Sequence, residues 1–250
     1  MTAIHQIRYE SLIYWRNRRR VFFTFALPLM FVVVFAVMEE NEALAEFGGR
    51  RYLTFFIPGI LAFGVIFTTF TSMASALAVA REQGVLKRVR GTPISTGAYV
   101  AGQVGATFIS TALITVVVIA LGAVFGADVP WHALPGIASA IAVGAVAFAA
   151  LGFGVAGFAK TAESAPLMAM FMVLPLSFLS GVWGPPPEGV LLDIAGLFPV
   201  RMLVDALQHA YDPNVTGAAI SPRDLVQLAG WGIVGVWLSA RFLRQERANG

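Results

Sequence analysis

The sequence contains no cysteine, which excludes a disulfide framework, a thiolate metal site and a cysteine nucleophile. Charged side chains are also scarce, at 12% of the 250 residues, whereas 58% of the residues are hydrophobic. The mean hydropathy of +0.76 is higher than a soluble domain needs in order to build its core. The surplus of apolar surface therefore predicts that the chain contacts lipid.

Motifs of catalytic centres are absent as well. The sequence has no GxxxxGK phosphate loop followed by Ser or Thr, no HExxH and no GxSxG. The three histidines, His5, His132 and His209, are too widely spaced to predict a metal site. We therefore predict no catalytic residues, no metal site and no cofactor bound by this chain.

Six apolar runs are long enough to cross about 30 Å of hydrocarbon as helices. They predict an all-α, polytopic membrane protein in which residues 1–250 form a single transmembrane domain. In the second run we expect a start near Phe55, a kink near Pro58, or a tilt. The runs are Val21–Met38, one within Tyr52–Ala80, one within Ala98–Phe125, one within Leu134–Phe158, Ala165–Val182 and about Leu225–Leu243.

The stretch of residues 185–211, between the fifth and sixth runs, is moderately apolar but interrupted by four prolines. It predicts short re-entrant helices on the outer side, with Pro199 ending the first, because backbone groups at membrane depth need internal partners. The middles of the six runs contain no Asp, Glu, Lys or His, which ion-coupled carriers commonly bury along their path. We therefore expect the energy for any uphill transport to come from a partner protein.

Lysine and arginine in the connecting loops predict the orientation, since positive loops stay on the cytoplasmic side. The arrangement consistent with these charges places both termini on the cytoplasmic side of a cell inner membrane. It also explains the sequence pI of 9.6 without nucleic acid binding. All but four of the 17 basic residues then lie inside, and the exceptions are Arg50, Arg51, Arg201 and Arg223.

Residues 2–20, before the first run, predict an interfacial helix. Ile4, Ile7, Tyr14 and Trp15 share one side of this helix, and basic residues gather on the other. The alternative is an ordinary basic N-terminus with an aromatic anchor. The residues on the basic side are His5, Arg16, Arg19 and Arg20.

Two segments carry a family resemblance. Residues 81–95 read REQGVLKRVRGTPIS, and residues 176–182 read LSFLSGV, followed by a proline run and by LFPVRMLVDAL at 197–207. They resemble the RExGxLKRLRxTPxS loop and the LSGxxxP and LPxxxxVDAL patterns of type-2 ABC exporter permeases, closest to daunorubicin-type drug-resistance permeases. Val89, Phe198 and the pair Trp183-Gly184 depart from the patterns.

The resemblance implies a permease subunit that works with a second permease, identical or related, and with two ATPase subunits that bind ATP and Mg. It further implies that residues 81–95 form a cytoplasmic loop coupling the ATPases to the spans. The alternative is a positive loop with no partner. The residues implied in coupling are Arg81, Glu82, Gly84, Lys87, Arg88, Arg90, Thr92 and Pro93.

Soft side chains on the second and fifth runs would suit an apolar, polyspecific export path, and in the resembled family these spans line it. For each residue the alternative is simple packing or contact with lipid. The path residues expected here are Phe67, Phe70, Thr71, Ser75, Met168, Phe171 and Met172.

The function that these observations favour is ATP-driven export of a hydrophobic or amphipathic compound, such as a drug, an antibiotic or a lipid-like molecule. A membrane assembly or immunity-type protein that does not itself transport is the second possibility. A membrane-embedded enzyme is the third, although the spans offer no catalytic groups.

Overall fold

A computed structural model describes residues 3–38, 43–44, 50–84, 96–159 and 161–248 of the chain. Within these ranges the protein is almost entirely helical, and its one short sheet pairs β1 (Ala43–Leu44) with β2 (Arg50–Arg51) in antiparallel fashion. The helices are α1 (Ala3–Arg16), α2 (Arg18–Met38), α3 (Tyr52–Ile66), α4 (Ser72–Glu82), α5 (Thr96–Val124), α6 (Leu134–Ala156), α7 (Ser164–Leu179), α8 (Val190–Ala195), α9 (Pro199–Ala210) and α10 (Pro222–Ala248).

The predicted all-α, polytopic membrane fold is confirmed. Among the described residues, three helical segments are long and apolar enough to cross a membrane: Tyr52–Glu82, Val100–Val124 and Trp131–Ala156. Thr24–Met38 and Ser164–Leu179 are shorter apolar helices, and α10 covers the sixth predicted run. Each apolar run forms a helix over most of its length, because a helix bonds most backbone groups within its own segment where the membrane offers no water.

The N-terminal helix is shorter than predicted. It ends at Arg16, and α2 begins at Arg18, so residues 18–20 belong to the first turn of the first predicted span rather than to the interfacial helix. Asn17 separates the two helices: its carbonyl already accepts a hydrogen bond from the backbone N–H of Val21, at 3.0 Å. Asparagine favours such helix-start positions because its side chain competes with regular helical bonding.

The second span also differs from expectation. It begins at Tyr52 rather than near Phe55, because the strand pairing of β2 ends at Arg51 and the helix follows directly. Pro58 lies within α3, where its missing N–H removes one helical hydrogen bond, and Phe67–Thr71 form a π-helical turn between α3 and α4. There the Thr69 hydroxyl donates to the Val65 carbonyl at 2.6 Å. Threonine hydroxyls compete in this way for helical carbonyls, which favours local irregularity.

The proline-rich segment, residues 185–211, contains the two short helices α8 and α9. Pro199 does not end the first of them, as predicted; α8 ends at Ala195, and Pro199 occupies the first turn of α9. Proline suits this position because its missing N–H would have no helical partner there. One face of α9 is buried, through Val200, Leu203, Val204 and Leu207.

The core is centred on α6, which packs against α4, α9 and α10. Small residues allow these helices to approach closely: a Cβ on Gly152 would lie 2.3 Å from the carbonyl oxygen of Phe70. Likewise, a Cβ on Gly235 of α10 would lie 2.6 Å from the backbone nitrogen of Leu151. Close packing of this kind replaces the hydrophobic driving force that is lost between helices in lipid.

Candidate functional site

The family motif begins at the end of α4. The helix ends at Glu82, and the backbone N–H of Gly84 donates to the Arg81 carbonyl at 3.0 Å. Gly84 adopts a φ of +65°, the left-handed conformation that glycine accepts at helix ends. The predicted coupling residues Lys87, Arg88, Arg90, Thr92 and Pro93 lie outside the described residues.

Arg81 and Glu82 both bind the short connection between α6 and α7. The guanidinium of Arg81 donates to the carbonyl of Ala159. The backbone N–H of Ala162 donates to the Glu82 carboxylate, with 3.0 Å between nitrogen and Oε2. Beneath these bonds, Ala78, Ala159 and Ala165 form a small buried cluster against Met168. The start of the motif is therefore fastened to a second connection, which the sequence did not predict.

The predicted path residues of the second span face the inside of the chain. Phe70 is 6% exposed and makes an edge contact with Phe148 of α6 at 6.5 Å between centroids. Phe67 stacks on Phe63 of the preceding turn. Thr71 is buried, and its carbonyl accepts the hydroxyl of Ser75 at 2.8 Å.

Of the predicted path residues of α7, one packs against α4 and two lie on the surface. Met168 is half-buried against Ala78, whereas Phe171 and Met172 are exposed. Phe171 belongs to an outward apolar stripe with Leu167, Leu174 and Phe178, at helical spacing. The seven predicted path residues therefore do not line one cavity within a single chain. Phe171 and Met172 are exposed on its surface, whereas the other five residues are buried or half-buried.

A polar pair of the second span was missed by sequence reasoning. The hydroxyls of Thr68, in the π-helical turn, and Thr111 of α5 lie 2.7 Å apart, and both residues are fully buried. Each hydroxyl also lies within hydrogen-bond distance of the carbonyl four residues back in its own helix, so the two hydrogens are shared among three acceptors. The spacing of Thr107, Thr111 and Thr115 along α5 is the signal that could have identified this side as a helix contact.

Arg201 of α9 is a second residue that the sequence analysis did not single out. It forms an ion pair with Asp205 one turn later, with 2.7 Å between Nη2 and Oδ1, and its Nη1 donates to the carbonyl of Ser180. Ser180 and Gly181 form the turn after α7, and Gly181 has a φ of +77°. Arg201 thus fastens the proline-rich segment to the end of α7. The i, i+4 spacing to Asp205 was the available signal.

The proline-rich segment is also tied to the start of α3. Gln208 donates to the carbonyl of Phe55 at 3.1 Å, and the guanidinium of Arg50 donates to Oε1 of Gln208 at 2.9 Å. Burial lowers the pKa of Arg50, while the nearby carboxylate of Asp212 raises it. Arg51 donates to the carbonyl of Gly126 at 2.8 Å, which links the turn after α5 to the start of α3.

Trp183, which departs from the family pattern, lies in the turn after α7 and packs against the helices α2 and α3. Its ring centroid lies 4.2 Å from that of Phe31 and 4.9 Å from that of Phe63. Beside it, the carbonyl of Val182 approaches α3 so closely that a Cβ on Gly59 would lie 2.2 Å from the oxygen. The turn after α7 therefore packs directly onto the middle of α3.

Comparison with known proteins agrees with this architecture. Residues 5–211 match the family described as ABC-2 type transporter. The chain belongs to this family. It is also 26% identical over 165 residues to the inner membrane transport permease YadH of Escherichia coli strain K12, and the same values hold for YadH of Shigella flexneri. These alignments cover 64% of this chain and 63% of the relative, so the chain spans under two thirds of the curated relatives it matches.

Proposed function

We propose that this chain is the transmembrane permease subunit of an ATP-driven ABC exporter in the inner membrane. It moves a hydrophobic or amphipathic compound outward by alternating access, and ATP and Mg are bound by separate ATPase subunits, two per transporter. Membership of the ABC-2 type transporter family and similarity to an inner membrane transport permease support this proposal.

The observation that carries the mechanism is the double attachment of the motif to the α6–α7 connection. Arg81 and Glu82 end the same continuous helical segment that begins at Tyr52. A partner that moves the motif would therefore move two connections together, and with them α4, α6 and α7. A helical segment of 31 residues is about 46 Å long at 1.5 Å per residue, enough to reach across a bilayer from the motif.

A second permease subunit completes the transport path in this proposal. The outward stripe of α7 contains Phe171, which is 81% exposed, and Phe178, which is 64% exposed. Such a stripe suits contact with an apolar substrate or a facing subunit, and α7 packs directly on the second span. Phe171 and Met172 would then line the path between subunits, while Phe67, Phe70, Thr71, Ser75 and Met168 would support it from behind.

The orientation follows from the loop charges, with both termini and residues 81–95 in the cytoplasm. Arg50, Arg51 and Arg201, three of the four basic residues assigned to the other side, are held by bonds to the protein: Gln208, Gly126 and Ser180 are their partners. Internal bonds of these three arginines are consistent with their assignment to the outer side of the membrane, where free positive charge is disfavoured.

The test compares Glu82→Ala with Glu163→Ala. Both changes remove one acid at the α6–α7 connection, but Glu82 accepts the Ala162 hydrogen bond, whereas Glu163 is exposed with no hydrogen bond or ion pair among the described residues. Neither change alters a lysine or arginine, so the topology signal is preserved. We expect about a fivefold loss of transport-stimulated ATP hydrolysis for Glu82→Ala only, as for one lost hydrogen bond of about 1 kcal/mol.

The readouts are the amount of variant in the membrane, the ATPase that co-purifies, and export from cells. Normal insertion with weakened stimulation or co-purification supports coupling through this end of α4. If Glu82→Ala and Glu163→Ala both behave like the parent, the motif is a connector without a coupling role. If the parent itself neither binds an ATPase nor exports, the chain is an assembly or immunity-type protein instead.

A further inference from the structure

The second span contains a π-helical turn between its two ends. This turn, Phe67–Thr71, joins α3 to α4 within the continuous helical segment Tyr52–Glu82. A π turn closes its hydrogen bonds over five residues rather than four, and it therefore accommodates one residue more than an α turn. Such turns are also among the few places where a long helix changes direction sharply. The segment thus contains a point at which it can bend.

Threonine hydroxyls supply additional hydrogen-bond donors in this turn. The Thr69 hydroxyl donates to the Val65 carbonyl at 2.6 Å, and the Thr68 hydroxyl lies 2.7 Å from the Gly64 carbonyl. Side-chain donors of this kind satisfy carbonyl groups when the backbone bonds of a membrane helix rearrange. The turn can therefore change its backbone bonding without leaving these carbonyls unpaired.

The last residue of the turn has a buried hydroxyl that lacks a partner. Thr71 is 8% exposed, and its Oγ1 makes no hydrogen bond within the described part of the chain. By contrast, the hydroxyls of Thr115 and Ser177 each donate to the carbonyl four residues back. A buried hydroxyl without a partner is costly. A second arrangement of the turn, in which Thr71 gains an acceptor, would recover this cost.

Two contacts hold the turn itself in place. On one side, the hydroxyls of Thr68 and Thr111 of α5 lie 2.7 Å apart. On the other side, a Cβ on Gly152 of α6 would lie 2.3 Å from the Phe70 carbonyl oxygen, and α6 ends soon afterwards, at Ala156. Both contacts are at the turn rather than at an end of the segment. They can therefore persist while the direction of α4 changes.

We propose that this π-helical turn is the pivot at which α4 tilts relative to α3 when an ATPase subunit moves the motif. The inference rests on the function proposed above. Beyond the turn, α4 extends over 11 residues to Glu82, which is about 16 Å at 1.5 Å per residue. A change of direction of about 20° at the turn would displace Glu82 by about 6 Å.

Deletion of one residue tests the pivot, because a π turn that loses its extra residue becomes a regular α turn. Deletion of Thr69 retains Thr68 and Phe70, the residues that contact α5 and α6. Deletion of Ala62, in the regular part of α3, is the control. Ala62 and Thr69 are both fully buried, but loss of Ala62 rotates one part of a regular helix by about 100° relative to the other.

The two deletions are compared first as purified chains and then in complex with the ATPase. Deletion of Thr69 should shift the unfolding temperature in detergent by less than about 4 °C, whereas deletion of Ala62 should lower it by about 8 °C or more, or prevent folding. The Thr69 deletion should still co-purify with the ATPase. It should lose about tenfold or more of the stimulated ATP hydrolysis, because the regular helix no longer bends.

A distance measurement separates a lost pivot from a helix that is merely displaced. The chain contains no cysteine, so spin labels can be attached after Gln83→Cys and Ile109→Cys, at two exposed positions. Ile109 is two residues before Thr111 and thus near the level of the turn. Between the nucleotide-free and the ATP-trapped complex, the distance between the labels should change by about 3 Å or more in the parent. It should change by less than about 1 Å after deletion of Thr69.

Three results would overturn the pivot alone. Equal destabilisation by the two deletions would show that the turn has no extra residue to lose. Parental stimulation of ATP hydrolysis after deletion of Thr69 would show that bending is not needed. A constant label distance in a parent whose ATP hydrolysis is stimulated would show that α4 does not tilt. A parent that binds no ATPase would instead overturn the proposed function, and the pivot with it, whatever the stability of the deletions.

Discussion

The two ends of the helical segment Tyr52–Glu82 are held in different ways. At the Tyr52 end, Gln208 bonds the Phe55 carbonyl, the Asp128 N–H bonds the Thr54 hydroxyl at 2.9 Å, and the turn after α7 packs on Gly59. At the Glu82 end, Arg81 and Glu82 both bond the connection between α6 and α7. One end is enclosed by its own chain, and the other presents the family motif.

In the proposed mechanism the Tyr52 end is the fixed part of the segment and the Glu82 end is the part that a partner moves. The hydrogen bonds and the close backbone contact at the Tyr52 end hold it within the fold, so a displacement there would carry the proline-rich segment along. At the Glu82 end, the hydrogen bond from Ala162 to Glu82 is exposed to solvent. A partner could exchange that bond at a cost of about 1 kcal/mol.

Arg201→Ala should have the largest effect, because it breaks the attachment of α9 to the turn after α7. The pair is partly buried, with side-chain exposures of 17% for Arg201 and 37% for Asp205. Removing the cation leaves Asp205 without its partner, and we expect a loss of about 2–3 kcal/mol in the free energy of unfolding. Thermal unfolding in detergent measures this loss.

The double variant Arg201→Ala, Asp205→Asn separates the two contributions. It removes the unpaired carboxylate and should regain part of the loss, since the desolvated charge is the main penalty. Arg16→Ala, which removes an exposed cation far from this pair in the sequence, is the control and should change the stability by less than about 0.5 kcal/mol. A melting temperature for Arg201→Ala equal to that of the control would show that this attachment does not hold the proline-rich segment.

Gly59→Ala comes next and tests the close contact at the Tyr52 end. The new methyl group would lie 2.2 Å from the Val182 carbonyl oxygen, so the turn after α7 must move. We expect a loss of about 2 kcal/mol, as for overpacking of a well-packed core. Gly64→Ala in the same helix is the control, because its nearest neighbour would be 3.9 Å away. Equal stability of the two variants would disprove a tight contact at Gly59.

Gly84→Ala should have the smallest effect, because a Cβ there meets no atom of the described residues within 4 Å. The φ of +65° nevertheless remains unfavourable for alanine. The expected loss is about 1 kcal/mol, and Gly84→Asn should lose less because asparagine tolerates this conformation better. Equal unfolding temperatures for the alanine and asparagine variants would argue against a left-handed residue at the helix end.

The sequence predicted the position of every long helix, because an apolar run of sufficient length has few alternatives in a membrane. It did not predict the start at Tyr52 or the π-helical turn. Both depend on local competition: the strand pairing of Arg50 and Arg51 sets the start, and the threonine hydroxyls alter the helix. The prediction for Pro199 was wrong, since this proline starts α9 rather than ending α8. Pro58 lies inside α3, and a kink there stays a prediction.

The coupling role of residues 81–95 stays a prediction. The sequence analysis treated these residues as a connecting loop, and α4 ends within their first residues, at Glu82. The partners of Arg81 and Glu82, at Ala159 and Ala162, are backbone groups with no sequence signal. The path residues of α7 could not be assigned to a face, because that helix is apolar on all sides and its periodicity gives no direction. Tertiary packing decides instead that Phe171 is exposed, and that Phe70 of the π-helical turn contacts Phe148 of α6.

The most direct measurement of the central claim is photo-crosslinking from Gln83, beside Glu82 at the end of α4. A photoreactive amino acid at Gln83 is compared with one at Glu188 in the proline-rich segment; both side chains are exposed. In intact cells, the account predicts that position 83 crosslinks to an ATPase subunit carrying a phosphate-loop motif and that position 188 does not. No ATPase product from position 83, or equal products from both positions, would contradict coupling at this end of the segment.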